Sequence, residues 1–139
     1  MTGDDLIDLA SHLIVNTAFG NAEARYRTAI SRAYYGAFHI SADFLKQIGK
    51  AIPANHTGHE LAYRLLFQCD VKDAMDAARA LHDLRRSRNR ADYELSRNAH
   101  ATFANAKKDV ERAHSLRRLI ETCSAEPTRS AIRATLGSI

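Results

Sequence analysis

Residues 22–48, AEARYRTAISRAYYGAFHISADFLKQI, decide the fold class. Ala29, Ile30, Ala33, Ala37, Ile40, Phe44 and Ile48 recur at helical spacing, and Tyr34, Phe38 and Leu45 widen the same face into a broad apolar stripe. Asn21 suits the N-cap ahead of this segment, and Gly49 suits the left-handed position that stops it. A helix this long and this broadly apolar is expected at the centre of a helical bundle. Arg25, Thr28, Arg32, Tyr35 and His39 follow each other at three, four, three and four residues along another face, which is polar, basic and aromatic.

Working outward, Leu6, Leu9, Ala10, Leu13, Ile14 and Thr17 share one helix face, with Asp4 and Asp5 at its positive end and a stop at Gly20. On the other side, residues 50–56, KAIPANH, read as the longest loop because Pro53 and Asn55 break the pattern. Thr57-Gly-His-Glu60 has the form of a capping box, and the helix it opens turns Leu61, Leu65 and Leu66 inward as far as Cys69. Asp70 is placed to cap a fourth helix from Val71 to about Arg88 or Arg90, with Met75, Ala78, Leu81 and Leu84 on its core face. Ser96 would cap the last long helix, in which Ala99, Phe103, Ala106, Val110, Ala113, Leu116 and Ile120 come close to a heptad seam ended by Pro127. No stretch alternates as a strand would. The expectation is therefore an all-α, antiparallel up-and-down bundle of four to five helices over residues 1–126, with 127–139 a tail able to form one short helix around Ile132 and Leu136.

With 139 residues, 45% hydrophobic and 26% charged, the chain fits one domain with a core that needs no disulfide or metal. Its charge of +4, from 20 basic and 16 acidic residues, favours an anionic partner only mildly. Cys69 and Cys123 match no metal or redox spacing, the first residues are acidic where a signal peptide is basic, and no apolar run approaches membrane-spanning length, so a cytoplasmic protein without membrane contact is expected. The seven histidines are scattered. Only His56 and His59 stand close, without a ligand framework, and there is no GxSxG, GxGxxG or P-loop. Neither a metal nor a cofactor is expected.

Chemistry concentrates in residues 81–95, LHDLRRSRNRADYEL. Arg88 lies seven and four residues beyond Leu81 and Leu84, on their face, where a guanidinium needs a partner. One reading is a solvated helix end in which Asp92 pairs with Arg88 at i,i+4. The other is anion binding, with Arg85 and Arg88 meeting Arg32, Tyr35 and His39 across a cleft to supply phosphate contacts, a stacking ring and a titratable imidazole.

Three segments in order, ISRAYYGAFHISADFL at 30–45, NHTGHELAYRLLF at 55–67 and LHDLRRSRNRADYEL, resemble the HEPN superfamily, closest to its small stand-alone prokaryotic members with RAYY and RxxADY motifs. The resemblance covers about residues 22–110. It implies a homodimer whose arginine and histidine motifs line a cleft between subunits. Catalytic members cut RNA there without metal, while others bind nucleotides or pair with a small nucleotidyltransferase, often as toxin and antitoxin. Arg88 and Asn89 match the motif arginine and its polar neighbour, and Tyr93 resembles the motif tyrosine. Asp92 stands where the histidine is expected. An ionised carboxylate repels a phosphodiester and has no proton to donate at neutral pH. The site residues implied are Arg88, Asp92 and Tyr93 for chemistry, with His39 as a further candidate, and Arg32, Tyr35, Arg85, Arg86, Arg88, Asn89 and Arg90 for RNA or nucleotide. The expected function is a binding or partner-docking module. The alternative is a metal-independent endoribonuclease drawing its acid or base from His39 or His56.

Overall fold

The computed structural model describes residues 1–18 and 20–137, and six helices account for nearly all of them: α1 (Gly3–Leu13), α2 (Ala22–Gln47), α3 (His56–Gln68), α4 (Lys72–Tyr93), α5 (Phe103–Ser124) and α6 (Thr128–Gly137). The protein is an all-α bundle, and among the described residues there is no strand. α2 is central: α1, α3, α4 and α5 all pack on it. Its apolar stripe is buried as the spacing predicts, except that Ile40 is only partly covered. Alanines at the contacts, among them Ala33 and Ala37 on α2, Ala77 on α4 and Ala113 on α5, are fully buried and allow the helix axes to come close. Gly3 and Gly36 take this furthest. A Cβ on either would lie within 3 Å of the other's backbone oxygen, so α1 and α2 touch main chain to main chain.

Several helix ends differ from expectation. α1 stops at Leu13, not near Thr17, and Thr2 and Asp5 form a capping box at its start. α3 is capped by Asn55, whose side chain accepts the Gly58 amide at 3.1 Å, and not by Thr57. The Glu60 carboxylate has gone instead to Arg85. Asp70 sits in the left-handed region at φ 57°, and α4 begins after Val71 without a side-chain cap. α4 runs on to Tyr93, so the whole arginine segment to that point is helical. α5 starts seven residues beyond Ser96, capped by Thr102, which leaves Ala99 in the connecting loop and Phe103 at 44% exposure on the rim. The buried seam of α5 begins only at Ala106.

The segment after Pro127 exceeds one turn. α6 brings Ile132 and Leu136 to zero exposure in the same core cluster as α2, α4 and α5, so the bundle has six helices where four to five are expected. Residues 19, 138 and 139 lie outside the described residues, including the end of the expected tail. Among the described residues no helix is long and apolar enough to cross a membrane.

Candidate functional site

α2 turns Arg32 and Tyr35 toward the C-terminal half of α4, which carries Arg85, Arg88, Asp92 and Tyr93, while α3 brings His59 and Glu60 to the same place. Arg88 is the centre. Its Nη2 donates to the hydroxyls of Tyr35 and, at 3.3 Å, of Tyr93, and its Nη1 donates to Asn89 Oδ1 at 3.1 Å. The guanidinium carbon lies 5.0 Å from the Tyr35 ring centre and 5.2 Å from that of Tyr93, so both rings stand within cation–π range of it. Nε lies 2.9 Å from Asp92 Oδ2. Its N–H makes no aligned hydrogen bond, so the contact is an ion pair set by charge and not by direction. Ser31 donates to the same carboxylate oxygen at 3.3 Å. The i,i+4 pairing of Arg88 with Asp92 is thus present within one chain, and the side chain of Arg88 keeps only 15% of its surface exposed.

The expected binding residues divide into two groups. Arg32 stands 5.9 Å from the Tyr35 ring centre and has no ion pair or hydrogen bond among the described residues. Arg85 is occupied by Glu60. Arg86 and Arg90 point away from Arg88 and line a separate cleft between α4 and α5. Helical geometry requires this split, because positions 86 and 90 are rotated about half a turn from 88 and 92. His39 is exposed with its ring against that of Phe38, and His56 is exposed at the first residue of α3. Neither reaches Arg88.

The histidine that does enter the cluster is His59. Its ring packs 4.3 Å from Phe38, 5.4 Å from Tyr34 and 6.4 Å from Tyr35. Burial holds its pKa below the ordinary imidazole value, and the positive charges of Arg85 and Arg88, with His39 and His56 behind them, push the same way. Its Nδ1 is hydrogen-bonded to the Tyr34 hydroxyl, with the donor set by the tautomer of the ring. Burial in turn raises the Tyr34 pKa, so that hydroxyl keeps its proton. The sequence singles out His59 only as a possible metal ligand beside His56, although it falls three residues before Ala62 and seven before Leu66, on the buried stripe of α3.

Sequence reading omits Arg27. It is 9% exposed and donates from Nη1 to the carbonyls of Ala91 (2.9 Å) and Glu94 (3.3 Å), and from Nη2 to that of Arg97 (2.6 Å), while Glu23 lies beside it at 3.0 Å. A guanidinium from α2 therefore closes the C-terminus of α4 and fixes the segment that follows Tyr93. Its one sequence signal is the i,i+4 pair with Glu23, which says nothing of the distant carbonyls.

Chemically the cluster presents a cation in contact with two aromatic rings, a neutral imidazole nearby and a carboxylate paired with the central positive charge. Among the described residues no group of three or more His, Cys, Asp or Glu side chains is placed to hold a metal ion. What fold and site define together is a class, an all-α bundle with an arginine–tyrosine cluster where α2, α3 and α4 meet. No family model matches the chain, and no curated protein or solved structure matches it either.

Proposed function

We propose that the chain is a HEPN-type module that, as a homodimer, binds RNA or a nucleotide or docks a small nucleotidyltransferase partner of a toxin–antitoxin or defence pair, and does not itself cut RNA. One observation carries the reading: the Tyr93 ring, 70% exposed, lies against the Arg88 guanidinium, which also contacts Tyr35. An exposed ring against a guanidinium, with a second guanidinium, Arg32, over the neighbouring Tyr35, suits a single-stranded base and its phosphate. Asp92 supports binding without cleavage, because it offsets the charge of Arg88 at the point where a cleaving site needs that charge on the phosphate.

The second reading is a metal-independent endoribonuclease, and His59 favours it as a neutral imidazole behind Arg88. Incubation of the purified protein with labelled single-stranded and structured RNA in chelator separates the two. The module binds without cleaving, weakens with rising salt and weakens further in Arg88→Ala and Tyr93→Ala. The nuclease cleaves, and loses cleavage in Arg88→Ala and His59→Ala. Failure to bind any RNA or nucleotide overturns both. A monomer in a sizing experiment overturns the homodimer. For partner docking, intact mass after coexpression with a small nucleotidyltransferase is expected to show an added nucleotide that Tyr93→Phe abolishes, since the exposed Tyr93 hydroxyl is a ready acceptor.

A further inference from the structure

A cleft of about 270 Å³ opens between α4 and α5, on the side of α4 away from Arg88, with Ile30 of α2 at its back. Arg86 and Arg90 enter it from α4, and Lys108 and Arg112 from α5. Arg86, Arg90 and Lys108 make no ion pair or hydrogen bond among the described residues, so three cations line one space without a direct partner. The floor is different. Asp109 is 3% exposed and its Oδ1 takes a 2.9 Å ion pair from Arg112, with Ser87 beside it in the lining. Burial raises the Asp109 pKa, while Ser87, Arg112, Lys108 and Arg90 act against that rise. Each carboxylate oxygen has two acceptor sites, so the floor keeps capacity for a further donor.

Four cationic side chains against two carboxylates, Asp83 and Asp109, leave an excess of two positive charges in the lining. A phosphate monoester carries about −1.5 to −2 at neutral pH, which matches that excess. A bare polyanion fits less well, because the floor is a carboxylate that repels it. The ligand that satisfies both parts has a phosphate at one end and hydrogen-bond donors at the other. We propose that this cleft is a binding site for a small phosphate monoester bearing hydroxyl or amino donors, a nucleoside monophosphate or a sugar phosphate, its phosphate held by Arg86, Arg90 and Lys108 and a donor group received by Asp109. The site does not rest on the reading of the Arg88 cluster, which faces the other side of α4.

Calorimetric titration of the full chain with adenosine monophosphate, guanosine monophosphate, ribose 5-phosphate and inorganic phosphate tests it. At least one ester is expected to bind with a Kd of roughly 10 µM to 1 mM and more tightly than inorganic phosphate. The double variant Arg86→Gln/Arg90→Gln is expected to weaken that binding about tenfold or more, as loss of charge-assisted contacts does, and Arg64→Gln, an exposed cation of α3 outside the cleft, to change it by less than about twofold. Asp109→Asn is expected to remove the preference for the ester over phosphate. Should that variant fail to fold, the double variant carries the test, since Arg86 and Arg90 are exposed. A nucleoside monophosphate alone, or ribose 5-phosphate as well, supports the site and sets which class occupies it. Three results overturn it: no saturable binding by any ester, inorganic phosphate binding as tightly as the esters, or loss of binding in Arg64→Gln with the double variant unaffected. RNA retained through Arg86 and Arg90 while every small ester fails is a case of the first.

Discussion

Asp92 controls how much positive charge Arg88 can offer. Its carboxylate lies 2.9 Å from Arg88 Nε and accepts from Ser31, so an incoming phosphate competes with a partner already in place. Asp92→Asn keeps the shape and the acceptor for Ser31 while removing the charge. If the cluster contacts phosphate, that variant is expected to bind RNA about three- to tenfold more tightly at low salt, with the gain shrinking as salt screens it. Fluorescence anisotropy at two ionic strengths measures this, and unchanged affinity would place the phosphate elsewhere. His59 makes a different prediction, shared with His114, whose pKa is lowered by burial first and then by Arg117 beside it. In the unfolded chain each imidazole titrates near ~6.5, in the folded chain lower. Between those values the unfolded state binds more protons, so stability rises with pH there. It is complete above the unfolded value and lost as pH falls through the folded one. Urea midpoints should therefore decline from about pH 7 toward pH 5, and His59→Gln with His114→Gln should flatten the decline relative to the parent chain.

At the scale of an element, α3 shows where sequence pattern decides and where it does not. Its first turn presses on the preceding loop so closely that a Cβ on Gly58 would lie 1.6 Å from the Pro53 carbonyl oxygen. Gly58→Ala must displace the loop or the helix start and is expected to cost about 1–3 kcal/mol, read from chemical denaturation. The apolar stripes of α2, α4 and most of α5 are legible because a helical period is local and needs no knowledge of a partner. The start of α3 is not, because Asn55 and Thr57 are both good capping residues two positions apart. The choice is made by tertiary structure, once Glu60, the carboxylate a Thr57 box would need, is taken by Arg85. The site divides in the same way. Arg88 with Asp92, four residues apart on one face, can be read from spacing. The Tyr34 partner of His59 is 25 residues away, and the carbonyls that receive Arg27 lie 64 to 70 residues away, distances over which no periodicity carries information.

Across the whole molecule, α6 completes a core that the first five helices leave open. It packs on α5 and α3, and its Ile132 and Leu136 have no exposed surface. Burying two such side chains contributes about 1.5–3 kcal/mol each, a large share of the stability of a domain this size. The two free thiols report on that closure. Cys69 on the C-terminal end of α3 and Cys123 on α5 belong to the same buried cluster as Ile132 and Leu136, and burial pushes their pKa up to about 12 and about 11. A thiol that is both covered and protonated does not attack a disulfide reagent. In the intact chain, then, both cysteines should react with an aromatic disulfide only as fast as the protein opens. Removing residues 126–139 uncovers the faces of α3 and α5 on which α6 lies, so the shortened chain should lose several degrees or more of Tm and its thiols should react many times faster under native conditions. Pairing the two readouts guards against a trivial result. A truncated chain that is stable with protected thiols would make α6 an appendage, whereas one that is less stable with both thiols exposed would make it a structural wall of the bundle.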